Sequence, residues 1–150
     1  METGLIHLHS LLRWFVLIAV LVSIVKSFQG MQNKSNYTSS DNRWSLLTLI
    51  GFHLQLVIGL VLYFVQGWHL QLGEMSNKII RFYSLEHLVA MLLAIALVTI
   101  GRVRAKKASS DLVKFKRQFW FFLIAFIIVM ANIPWPFREV GEGRGWFPGL

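Results

Sequence analysis

Residues 5–24 have the sequence LIHLHSLLRWFVLIAVLVSI, which is apolar apart from His7, His9, Arg13 and two serines. About 20 helical residues, rising about 1.5 Å each, cross the roughly 30 Å hydrocarbon core of a bilayer. The segment starts too near the N-terminus for a basic leader and lacks a small-residue cleavage site. We therefore predict a retained membrane helix rather than a signal peptide. Histidine and arginine side chains are unusual in a membrane helix and require an explanation.

The rest of the chain has the same character. Its 150 residues are 55% hydrophobic and only 15% charged, against about 25% charged in soluble domains. The absence of cysteine excludes disulfides, thiolate metal ligands, c-type heme attachment and thiol catalysis. The net charge of +8 comes from basic residues beside apolar segments, where they act as topology signals, so we expect a lipid bilayer and no nucleic acid as partner.

Four segments are long and apolar enough to cross a bilayer, with polar connections between them. They predict an all-α fold, a transmembrane four-helix up-down-up-down bundle that forms a single integral membrane domain over residues 1–150. The predicted spans are about 5–26, 44–67, 83–101 and 118–134.

The orientation follows from the basic residues. The first and third connections are richer in lysine and arginine than the second, so we expect them on the cytoplasmic side. Both termini then lie on the outer, periplasmic side, and a bacterial inner membrane is the expected location. Pro134 and Pro136 should stop the fourth helix, and the tail 135–150 is expected at the outer interface as an ordered flap or a docking strand.

Ionisable and polar side chains are costly in the hydrocarbon region and are functional hypotheses by default. Histidines on facing helices of an apolar bundle are a common way to hold a heme. His9 and His87 each lie about four residues inside helices that enter from the same face, so both lie at the same depth. We predict that these two residues bind one metal ion, the iron of a heme.

Two other histidines, His7 and His53, are fallback ligands. His7 lies about 200° around the helix from His9, so at most one of the two points into the bundle. His53 is nearer mid-membrane, about 10 to 15 Å deeper than the pair by the same rise. It could form a hydrogen bond between helices or serve a second heme with an additional ligand.

Two stripes of small or polar residues accompany these histidines. Gln55 and Gly59 follow one face of the second helix, and Ala90, Met91 and Ala94 lie on the face of His87. Such stripes leave room for a flat ring, but they also allow close helix packing, and both alternatives stay open.

Arg13 has several alternatives. It can extend its charged end to the interface, pair with Glu86, or bind a heme propionate. Of these, the propionate is the natural partner if a heme lies beside it.

The chain resembles one four-helix half of the heme A synthase family in three ordered motifs. These are HSLLR at residues 9–13, QLVIG at 55–59 and EHLVAMLLAIALV at 86–98. In that family a histidine with an arginine close after it opens one helix, Q-x-x-x-G follows on the next, and a second histidine starts the third. The resemblance implies that His9 and His87 are axial heme ligands and that Gln55 and Gly59 lie near the ring.

The chain departs from that family in residues tied to activity. Ile6 stands where the family has a glutamate, Arg13 follows the histidine at a spacing of four rather than one, and the outer cysteine pair is missing. These departures favour a membrane b-type cytochrome with one bis-histidine heme b near the outer face over a stand-alone enzyme. Half-length relatives that pair as homodimers would rebuild the eight-helix arrangement.

The expected role of such a cytochrome is electron transport within or beside a respiratory chain, with quinol or a respiratory complex as partner. Two alternatives remain. One is a short heme A synthase-like enzyme or heme-handling assembly factor. The other is a cofactor-free accessory subunit of a membrane complex.

Overall fold

Within residues 2–147, which the computed structural model describes, the chain is all-helical and contains four long helices. We name them α1 (Glu2–Asn33), α2 (Ser39–Val65), α3 (Lys78–Lys106) and α4 (Asp111–Asn132). Each predicted span lies within or largely overlaps one of these helices, and the predicted all-α class is confirmed. Helices α1 and α3 continue past their predicted ends by seven and five residues.

Helices α1, α2 and α3 are each long and apolar enough to span a membrane. The first two turns of α4 carry several charged residues, and its uninterrupted apolar part starts only at Phe119. Three helices could therefore span a membrane, as expected for a membrane protein.

The outward faces of the helices are apolar. On α1 the exposed hydrophobic side chains recur every three or four residues and thus follow one face of the helix: Leu8, Leu11, Phe15, Ile18, Leu21, Val25 and Phe28. A soluble monomer rarely exposes so continuous an apolar surface. This face is suited to contact with lipid tails.

Helices α1 and α2 run antiparallel. Ser23 and Thr48 share a hydrogen bond of 2.9 Å, and Lys26 forms a 3.1 Å ion pair with Asp41, so residue numbers rise along one helix as they fall along the other. The start of α2 follows from local sequence, because Thr38 and Asp41 form a reciprocal capping box.

Helices α3 and α4 are also antiparallel, and α2 contacts α3. Gly101 of α3 lies directly against Phe121 of α4, and at the other end of the same pair His87 contacts the last turn of α4. Tyr63 of α2 donates a hydrogen bond to the carbonyl oxygen of Ser84 in α3. The core between the helices is closely packed and contains small residues, which lets the backbones approach one another.

The tail folds back over one end of the bundle. Arg138 donates hydrogen bonds to the carbonyl oxygens of Ala131 and Ile133, which satisfies the open end of α4. Tyr83 donates to the carbonyl oxygen of Val140, and Trp135 is buried. The described part of the tail is thus an ordered flap with no strand, and residues 148–150 of the predicted tail lie outside the described residues.

Candidate functional site: a cavity between two histidines

A cavity of about 140 Å³ lies between the four helices at the end that the tail covers. It is well above the roughly 10–15 Å³ that a cavity needs to hold one water molecule. Its walls come from the start of α1, the end of α2, the start of α3, the end of α4 and the tail. The walls are mainly apolar, and their polar members are His9, Ser10, Arg13, Gln55, Tyr63, Gln66, Tyr83, His87 and Arg144.

His87 is held by the last turn of α4. Its Nδ1 lies 2.8 Å from the carbonyl oxygen of Asn132. A carbonyl oxygen only accepts, so Nδ1 carries the hydrogen and donates it, which leaves the lone pair of a neutral imidazole on Nε2. Such a second partner is what commonly orients a metal-binding histidine.

The five residues before His87 form an unusually wide helical turn, Phe82–Glu86, with a π-helical hydrogen-bond pattern. Such turns are rare and often accompany functional sites. The inserted residue changes the rotation of the first turn of α3 relative to the rest of that helix. Tyr83, within this turn, and His87, directly after it, both line the cavity.

His9 also lines the cavity, from the neighbouring helix α1. Its backbone carbonyl accepts a 3.0 Å hydrogen bond from Nε2 of Gln55, and its ring lies against Gly59. His9 Nδ1 and Gln55 Oε1 are buried without a hydrogen-bond partner in the described structure. Buried polar atoms in proteins are nearly always satisfied, so both atoms point to a further group in the cavity.

Arg13 does not pair with Glu86. The Glu86 carboxylate instead forms a 2.7 Å ion pair with Arg81, five residues earlier on the same helix. Arg13 donates from Nη2 to the carbonyl oxygen of Trp146 at 3.1 Å, while its Nε is buried and without a partner. The proposed Arg13–Glu86 pair is therefore wrong, and the guanidinium remains directed at the cavity.

The other predicted wall residues divide into two groups. Gln55, Gly59 and Met91 line the cavity as expected, whereas Ala90 and Ala94 do not. Ala94 is instead fully buried in the helix core. Packing therefore explains Ala94, while Ala90 is half-buried outside the cavity walls.

The fallback ligands lie elsewhere. His53 is exposed on the outer face of α2, where its Nδ1 donates a 2.8 Å hydrogen bond to the carbonyl oxygen of Leu49 in its own helix. It therefore makes no hydrogen bond to another helix. His7 is half-buried but is not part of the cavity walls. Over residues 2–147, no three histidine or carboxylate side chains gather as a metal site, which leaves the two-histidine arrangement.

Several wall residues were not predicted. Tyr63 continues the Gln55–Gly59 stripe by one turn and Tyr83 precedes His87 by one turn, so helical spacing could have identified both. Trp68 lies in the connection between α2 and α3 and Arg144 in the tail, where the spacing of a long helix gives no guide. Only the folded tail brings Arg144 to the cavity.

Comparisons with protein-family models, with curated proteins and with solved structures find no match to this chain.

Proposed function

We propose that this chain is a membrane b-type cytochrome that holds one heme b between His9 and His87 and transfers electrons. Its four helices would cross a bacterial inner membrane in up-down-up-down order, with both termini on the outer side. Quinol or a respiratory complex would be its redox partner, and a homodimer is compatible with its half-length resemblance to the heme A synthase family.

The helix surfaces support four crossings. Helices α1 and α2 are antiparallel, as are α3 and α4. Despite its charged start, α4 exposes Trp120, Ile124 and Ile127 along one face. These three residues form an apolar outward face like that of α1. Lipid tails would cover the apolar outward faces of all four helices, which in water would be exposed to solvent.

The observation that carries the heme proposal is the pair of histidines in one apolar cavity. His87 is oriented by the Asn132 carbonyl with its Nε2 lone pair available, and His9 contributes an imidazole whose Nδ1 has no described partner. Neutral imidazoles from two helices are the donor set that a b-type heme uses. Since a porphyrin needs more room than about 140 Å³, binding has to move side chains of the walls.

The polar residues of the walls favour electron transfer over oxygenation. A heme held by both His9 and His87 would supply one-electron transfer rather than oxygen chemistry. Ile6, at the place of the family's glutamate, is part of the wall, and none of the described wall residues is Asp or Glu. The chain therefore places no carboxylic acid there to handle protons in a hydroxylation.

The test is heme stoichiometry and reduced-minus-oxidised spectra of the protein purified in detergent. We expect one heme per chain with a sharp b-type α-band, lost in both His9→Ala and His87→Ala. His53→Ala is the matched control, because His53 faces away from the cavity. Survival of the band in both cavity variants would refute the proposal, and heme-free protein that co-purifies with partner subunits would favour the accessory-subunit alternative.

A further inference from the structure

Two arginines from distant parts of the chain reach the same cavity. Arg13 comes from the fourth turn of α1 and Arg144 from the tail, and both line the walls. No carboxylate within residues 2–147 lies within ion-pair distance of either one. The cavity thus brings together two positive charges and no negative one.

Arg13 is half-buried and Arg144 is exposed, and neither has a described carboxylate partner. A guanidinium stays protonated under all ordinary conditions, so the two side chains together favour an anionic ligand. Arg13 keeps its Nε buried without a partner, and the guanidinium carbon of Arg144 lies 4.7 Å from the ring centroid of Tyr83. A planar fork of N–H donors is suited to a carboxylate.

The tail contributes more than Arg144. The carbonyl oxygen of Trp146 accepts hydrogen bonds from Arg13 at 3.1 Å and from Trp14 Nε1 at 3.0 Å. Phe147 stacks on Trp14 with ring centroids 5.4 Å apart. These contacts hold the tail against α1 and position the Arg13 guanidinium, two residues along the tail from Arg144.

We infer that the tail closes the cavity and completes, with Arg13 and Arg144, a binding site for carboxylate groups on one edge of a planar apolar ligand. This inference rests on the proposed function and adds to it the orientation of the ligand: the carboxylate edge faces the tail and the ring lies between the helices. The tail is thereby a part of the binding site.

The experiment uses metal-free protoporphyrin, which has two carboxylates and no iron for the histidines to bind, and its dimethyl ester, which has no charge. Binding to the full-length protein in detergent is followed by quenching of tryptophan fluorescence, with partition into protein-free micelles subtracted. We expect the wild type to bind the diacid at least about tenfold more tightly than the ester, as charge-assisted hydrogen bonds would give.

The variants separate charge from structure. Arg13→Gln and Arg144→Gln together should abolish the preference for the diacid and leave ester binding unchanged, while Arg13→Lys should keep part of it. Arg81→Gln is the matched control, since Arg81 pairs with Glu86 near the same end of the bundle and is not part of the walls. Equal binding of diacid and ester by the wild type, a comparison that needs no variant, would overturn the inference.

Failure of this inference and of the cytochrome proposal are distinguishable. A variant with both His9→Ala and His87→Ala should lose heme yet keep the diacid preference of the metal-free porphyrin. If the double arginine variant loses the diacid preference while the histidine changes leave the heme spectra unaffected, the carboxylate site is supported and the cytochrome proposal is refuted. If the histidine changes abolish the heme spectra while the double arginine variant keeps the preference, the cytochrome proposal stands and the carboxylate site is refuted.

Discussion

Gly59→Ala is the substitution that tests most directly whether His9 is a ligand. A Cβ at position 59 would lie 3.1 Å from His9 Cε1, where ordinary contacts begin at about 3.4 Å. The imidazole would therefore have to move by a few tenths of an ångström. Alanine favours the helix by up to about 1 kcal/mol over glycine, and the tight contact opposes this gain, so the free energy of unfolding should change by less than about 1 kcal/mol.

A small displacement is enough to weaken a ligand site. Binding geometries tolerate about 0.5 Å, and a metal ligand that loses its orientation typically costs about 10–100-fold in affinity. We expect Gly59→Ala to raise the heme dissociation constant about tenfold, measured by titrating the apoprotein with heme and following its absorption. The magnitude depends on how far the His9 ring can turn without leaving the cavity.

Gly51→Ala is the matched control. Its Cβ would lie 3.1 Å from Val16 Cγ2, the same distance on the same helix; Val16 belongs to the core and to the cavity walls but is not a candidate ligand. We expect a similar small change in stability and a smaller loss of heme affinity than in Gly59→Ala. An equal loss of heme affinity in both variants, or no loss in Gly59→Ala, would refute the assignment of His9 as a heme ligand.

Two further predictions concern stability. Gln118→Leu should lower the free energy of unfolding by about 1–3 kcal/mol in detergent, because the fully buried amide accepts from Tyr37 and donates to Ser27, each at 2.8 Å. Unchanged stability would mean that these contacts of α4, with α1 and with the α1–α2 connection, contribute nothing. Lys78→Ala should change stability by less than about 1 kcal/mol, since its 3.3 Å ion pair with Glu139 is exposed, and a larger loss in the same assay would contradict this reasoning.

The helices could be predicted because their signal is local. An apolar run of about 20 residues between polar connections indicates a membrane helix without reference to any other part of the chain. The position of the fourth helix follows equally from its apolar residues after Phe119. The extensions of α1 and α3 were missed because polar helix termini carry no hydropathy signal.

The pairing of His9 with His87 was predicted from depth alone. Depth depends on the count of residues from the start of each helix, about 1.5 Å apiece, and does not require knowledge of how the helices rotate. Both residues do line one cavity. Whether they bind a heme stays a prediction.

Rotation and long-range contacts could not be predicted in this way. His53 faces outward and Ala94 packs in the core because each helix turns to bury its own best-fitting edge against its neighbours. The wide turn at Phe82–Glu86 shifts that rotation by a further residue. These choices depend on the shapes of side chains on several helices at once.

By itself, the amino-acid sequence determined an all-helical chain for an apolar environment, the places where its helices lie, and two histidines at one depth. The tertiary structure alone decided which helix faces meet. It also decided that Arg13 contacts Trp146 while Glu86 pairs with Arg81, and that Arg144 lines the cavity. The physical reason is distance along the chain. Hydropathy and helical rise act over a few turns, whereas a contact between residues more than a hundred positions apart exists only after the bundle has packed.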